Sequence, residues 1–218
     1  MAGLNGKKRN IKAVAGAFIA MKNGARKLSE DRVEFSYCKE DYLLDASEEK
    51  IYRVNAFGDT EELPTTNAKC QTYRGVTLGG KSFLLHQLAQ VLLNDDYLDT
   101  YLSNTNAEIN HMICEPYRVG GGCLDTYRTA SRPIKGFIVS PKFTEVVSKS
   151  ENIAHGNFMK EFNVYGVVVR AKDVMELRSL IYSRWGKGDE VTATDIVLDY
   201  YKSKEPSVQH DFRACLSC

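Results

Sequence analysis

The chain reads as an α+β protein, with one main globular domain of antiparallel strands and several amphipathic helices, preceded by a basic N-terminal arm or helix. Three observations predict this. Val33, Phe35 and Tyr37 alternate with polar neighbours at the period of a half-buried strand. Leu84, Leu85, Leu88, Val91 and Leu92 form the broad apolar stripe of a helix. Strand and helix segments then follow one another without the regular alternation of a doubly wound sheet. At 218 residues, 43% hydrophobic and 26% charged, the chain has the composition of a globular protein able to build its own core.

Ile11, Val14, Phe18 and Met21 recur at helical spacing, and Asn23-Gly24 supplies a stop, so the first helix lies inside the arm. The strand at Val33–Cys38 pairs with a second at Lys50–Ala56, with Asp45–Glu49 as the polar turn between them. Gly58-Asp59 and Pro64-Thr65-Thr66-Asn67 mark residues 57–67 as a loop and the internal boundary of the domain. A helix spans Lys81–Leu93, Asn94-Asp95-Asp96 breaks it, and Tyr97–Leu102 adds a short helical turn. Residues 104–133, rich in Gly and Pro around Gly120-Gly121-Gly122, read as long loops. Gly136–Ser140 and Asn163–Arg170 read as strands, the second largely buried. Lys172–Trp185 follows as an amphipathic helix, and a last helix starts at Thr192, which forms a capping box with Asp195, and runs to about Lys202. This divides the chain into an arm (1–29), a globular domain (30–204) and a tail (205–218).

Charge is distributed unevenly along this order. The first 29 residues carry seven basic groups (Lys7, Lys8, Arg9, Lys12, Lys22, Arg26, Lys27) and no acid, leaving 22 basic against 28 acidic residues in the rest. A basic arm on a mildly acidic body suits a polyanion, either nucleic acid or an anionic membrane surface. No apolar run reaches the roughly 18 to 20 residues of a transmembrane helix, and Ala13–Met21, followed by Lys22 to Arg26, lacks a signal-peptide cleavage site. The expected location is cytoplasmic or otherwise intracellular, including a virion. The six cysteines are scattered, so free thiols are expected.

Three motifs carry chemistry. Gly75-Val76-Thr77-Leu78-Gly79-Gly80-Lys81-Ser82 resembles the phosphate-binding loop of P-loop NTPases over these eight residues. That resemblance implies that Gly75 and Gly80 belong to an anion-cradling loop, that Lys81 offsets phosphate charge and that Ser82 holds Mg²⁺. The segment before it, Lys69 to Arg74, is polar, whereas that fold needs a buried hydrophobic strand there, and no second carboxylate follows a buried strand. His111 with Cys114, and His210 with Cys215 and Cys218, have the short spacings from which a zinc site is built; free thiols remain the default, and no cofactor is expected. Tyr-Arg occurs four times, at residues 52, 73, 117 and 127 onward, where random placement of twelve of each gives about 0.7. Tyrosine offers a stacking platform and arginine a phosphate ligand, a combination suited to single strands. Tyr52-Arg53 fits ordinary strand alternation, whereas Tyr73-Arg74, Tyr117-Arg118 and Tyr127-Arg128 fall in predicted loops. His86 and His155 have no telling partner nearby in sequence and read as core or surface residues.

The chain lacks the nucleophile-elbow, zinc-protease and dinucleotide-binding motifs, which shifts weight from chemistry toward binding or assembly. The leading expectation is a non-enzymatic nucleic-acid-binding structural or assembly protein acting through the arm and the loop Tyr-Arg pairs. By architecture alone it resembles nucleoproteins and viral coat proteins that package RNA or DNA. Single-stranded RNA is the favoured partner, and coverage of a long strand implies a homo-oligomer. The alternatives are a nucleotide-binding protein using Gly75–Ser82, and a peripheral membrane or matrix-type protein that inserts the apolar face of the first helix.

Overall fold

A computed structural model describes residues 11–67, 73–103, 107–118, 129–133 and 139–205. The first helix, α1 (Ile11–Asn23), forms where its periodicity places it. Phe18 and Met21 are fully buried, so the helix belongs to the interior rather than to a detached arm. The short β1 (Arg26–Lys27) leads into a meander of β2 (Arg32–Tyr37), β3 (Glu40–Asp45), β4 (Lys50–Val54) and β5 (Thr60–Glu62), a five-stranded antiparallel sheet in chain order.

This corrects the expected strand pair. β2 and β4 do not pair with each other but flank β3, with Phe35 opposite Tyr42 and Leu44 opposite Ile51. β3 escaped notice because Tyr42, Leu43, Leu44 and Asp45 are all buried, which erases the alternation that reveals a strand covered on one face only. Residues 57–67 are likewise not a linker: they hold β5 and β6 (Thr66–Asn67), and Leu63 enters the core.

β6 pairs with β7 (Arg74–Leu78), and β7 with β8 (Lys81–Leu84). Val76, Leu78 and Phe83 point inward and Thr77 and Ser82 outward, a strand period where a helix start had been expected. Helix α2 (Leu85–Leu93) begins only after β8 and buries eight of its nine residues. It is followed by α3 (Tyr97–Ser103). Together α1, β2–β4, β7, β8, α2 and α3 enclose the first hydrophobic core.

The presumed loop region 104–133 contains β9 (Ala107–His111), β10 (Cys114–Arg118) and β11 (Thr129–Pro133). β9 pairs antiparallel with β12 (Thr144–Ser148), while β10 and β11 form a hairpin with Arg118 opposite Thr129. Helix α4 (Lys149–Glu161) was not foreseen. Its sequence is polar with a weak stripe, but Ser148 and Glu151 form a full capping box at its start. The valine-rich segment 163–170 is not a regular strand: it threads beside β9 and β10, with Gly166 N donating to Cys114 O (2.9 Å) and Val169 N to Met112 O (2.8 Å). The expected strand at 136–140 is not present over its described residues, 139–140. Helices α5 (Val174–Gly186) and α6 (Ala193–Lys204) complete a second core with α4 and Val164, Val167 and Val169. Thr192 caps α6, accepting from Asp195 N at 3.1 Å. The expected tail lies outside the described residues apart from Glu205.

The pair β9–β12 stands between the two cores. Strand alternation puts Ile109 and Val146 on one face, against the first core, and Glu108, Asn110 and Glu145 on the other, on the side of α4.

Candidate functional site

The seam between the cores gathers polar side chains that packing alone would not select. Tyr73 lies just before β7, His86 in the first turn of α2 and His111 at the end of β9. Tyr73 stacks on His111 with ring centroids 5.1 Å apart and planes 27° apart. It also meets His86 at 4.8 Å, and the two histidine rings meet edge to face at 5.1 Å. Both histidines are 6% exposed, whereas Tyr73 is 39% exposed, so the tyrosine is the side of the cluster that faces solvent. Burial pushes the Tyr73 phenol above its ordinary pKa, reinforced by Cys114 and Glu108 nearby. Cys114 is buried beside the cluster, its thiol 3.7 Å from His111 O.

The opposite face of β9 carries two amide–carboxylate pairs. Asn110 Nδ2 donates to Glu145 Oε1 at 2.8 Å, and Ala171 N donates to the same oxygen at 2.6 Å. Asn152 Nδ2, on α4, donates to Glu108 Oε2 at 2.7 Å. Burial raises the pKa of Glu145, and the two donors partly offset it. Asn110, Asn152 and Glu108 offer hard oxygen donors of the type a divalent cation takes. Among the described residues, no three His, Cys, Asp or Glu side chains converge as metal ligands.

His155 is a different case. It is buried in the second core, its Nε2 donates to Val169 O at 2.9 Å, and desolvation lowers its pKa to about 4. It is a neutral packing residue, in line with its reading from sequence.

The residues singled out from sequence are placed as follows. Lys7, Lys8 and Arg9 lie outside the described residues, as do Tyr127, Arg128 and the side chains of Lys12, Tyr117 and Arg118. Lys22 and Lys27 both bind Asp95, at 2.9 and 3.0 Å, and Arg26 pairs with Glu34. Three cations thus share two acids of the body, Asp95 and Glu34. Arg74 pairs at 3.1 Å with Glu49, whose side chain is 2% exposed, so its guanidinium serves the fold. Arg53 lies near Glu40 and Glu61, at 3.6 and 4.0 Å. Phe18 and Met21, which the membrane reading would insert into lipid, are core residues.

The P-loop-like segment is a β-hairpin. Gly79 and Gly80, with φ of +52° and +74°, form its two-residue turn, and Leu78 faces Lys81 and Thr77 faces Ser82 across it. Lys81 and Ser82 are exposed on a strand, and α2 starts at Leu85 with no side-chain cap, so the glycines do not feed a helix N-terminus as the resemblance requires. Of the zinc candidates, the Cys114 thiol lies 3.7 Å from the His111 carbonyl oxygen, and His210, Cys215 and Cys218 lie outside the described residues.

Comparison of the chain with protein-family models, curated proteins and solved structures gives no match.

Proposed function

We propose that this protein binds single-stranded nucleic acid, with the β10–β11 hairpin and the Tyr73 ring at the seam as its contacts. The observation that carries this is the Tyr73–His86–His111 cluster: a tyrosine ring 39% exposed to solvent and held in place by stacking on two buried imidazoles, the form of a platform for an unpaired base.

The nucleic-acid part rests on sequence and placement together. β10 begins three residues after His111 and leads to Tyr117-Arg118. At about 3.3 Å per residue, Tyr117 lies roughly 10 Å from Cys114, close to the rise of three stacked nucleotides. A strand following the hairpin would thus bring a phosphate toward the cluster.

Arg74 is held by the buried Glu49, while Lys22 and Lys27 share the exposed Asp95 and Arg26 pairs with Glu34, so fewer unpaired cations face phosphate than the sequence offers. The test is the binding of fluorescent single-stranded RNA, single-stranded DNA and duplex DNA across a salt series. Binding of a single strand is expected, weakened about tenfold in Tyr73→Ala and unchanged in Lys81→Ala. Absence of binding at low salt, or wild-type affinity in Tyr73→Ala, would contradict this reading.

A further inference from the structure

The β4–β5 end of the large sheet carries a surface that the seam does not use. Phe57, in the loop joining β4 to β5, is 91% exposed. A mobile tip would account for that, but this one is tied down. Asn55 Oδ1 accepts from Phe57 N and Asp59 N, each at 2.9 Å, and Asn55 Nδ2 donates to Asp59 Oδ2 at 3.1 Å. Asn55 N also donates to Asp59 O, and Gly58 N to Asn55 O, each at 3.0 Å. The loop holds a large apolar side chain in water at little further entropic cost to a partner, as preorganised anchors of interfaces do.

Beside Phe57 runs β5, whose three residues are exposed and which, among the described residues, pairs on one side, with β4. An outer strand with an open edge can accept another strand. The surroundings are acidic: with Asp45 and Glu49 buried and paired with Arg32 and Arg74, residues 40–62 still present six carboxylates (Glu40, Asp41, Glu48, Asp59, Glu61, Glu62) against Lys50 and Arg53, a net charge of −4. Arg53 and Lys50 are engaged by Glu40, Glu48, Glu61 and Glu62. Such a surface repels nucleic acid and anionic lipid and fits a basic, extended peptide. The sequence supplies a basic segment ahead of α1: residues 1–10 carry Lys7, Lys8 and Arg9 with no acid, and Leu4 gives them an apolar group for Phe57.

We propose that the β5 edge, with Phe57 as anchor, receives the basic N-terminal segment of a second copy of this chain, giving a head-to-tail self-association governed by charge. The arm is then shared between the acidic edge and polyanions, so nucleic acid competes with self-association.

Sedimentation velocity of the full chain across about 1 to 200 μM, at about 50 mM and 500 mM salt, tests this. Association is expected at low salt and weakens about tenfold or more at high salt. Phe57→Ser weakens it about tenfold with an unchanged melting temperature, since the side chain buries nothing. Reversing the arm (Lys7→Glu, Lys8→Glu, Arg9→Glu) or the edge (Glu61→Lys, Glu62→Lys) abolishes it, and mixing the two reversed chains restores a heterodimer. A monomer at every concentration, or association indifferent to Phe57 and to both reversals, overturns the proposal. So does loss of nucleic-acid binding in Phe57→Ser with association intact, which would assign the knob to nucleic acid.

Discussion

His155 sits inside the C-terminal core, enclosed by α4 and the valine segment, and its one polar contact there is the Val169 carbonyl. His86 and His111 sit between the cores, stacked on each other and on a tyrosine open to solvent. Both environments are dry, but they ask different things of an imidazole. In the first, the ring fills space and supplies one donor, and any protonation is penalised. In the second, rings from three separate elements converge where solvent is one side chain away. Buried polar groups of the first kind should report on stability, and those of the second kind on function.

The largest stability effect is expected at the Arg74–Glu49 pair, which belongs to the structural kind despite its Tyr-Arg signature. Removing the guanidinium in Arg74→Ala withdraws the cation from a carboxylate that is 2% exposed, at a cost of about 3 kcal/mol measured by urea denaturation. An Arg74→Ala variant that folds normally but loses nucleic-acid binding would move Arg74 to the functional side of the comparison.

Next is the acid dependence set by His155. Its folded pKa, about 4, lies below the ordinary value of 6.5, so its contribution is fully present above 6.5 and is lost as pH falls toward 4. The loss amounts to about 3 kcal/mol across that window. Denaturation curves at pH 7, 5.5 and 4 read it out, and His155→Gln should flatten the dependence.

A smaller loss, about 1–3 kcal/mol, is expected for Gly79→Ala. The glycine has φ of +52°, and a Cβ there would sit 2.5 Å from Cys38 Sγ, because the β2–β3 and β7–β8 turns touch at their tips. Cys38→Ala should recover part of this in the double variant. Smallest is Lys81→Ala: the side chain is exposed on β8, so stability should change by less than about 0.5 kcal/mol.

How far the sequence revealed this architecture depends on how each element is covered. α1, α5 and α6 were legible because each has one apolar face and one wet face, and α2 because its leucines recur densely at helical spacing although eight of its nine residues are buried. β3 was hidden by burial on both faces, and α4 by Gly156 and a polar composition that leaves the capping box as its clearest signal. The Gly- and Pro-rich stretch concealed β10 and β11 because Pro116 and Pro133 sit within strands of a lone hairpin, where loop and strand compositions overlap. The seam was legible only in fragments. Tyr73 was marked by its pairing with Arg74 and His111 by its spacing from Cys114, but His86 carried no local signal. His86 and His111 are 25 residues apart and meet only because β9 lies against α2 through the first core. The Gly75–Ser82 match shows the converse: a pattern of eight residues is satisfied by a hairpin when its strand period and paired glycines agree better with the surrounding core than a loop does.

The most direct test of the seam as the binding centre is a histidine-ring NMR titration of the full chain with a short oligonucleotide. The resonances of His111 and His86 are expected to shift in saturable fashion while those of His155 stay fixed. Saturable binding that leaves His86 and His111 unmoved would contradict the placement of the binding site at the seam.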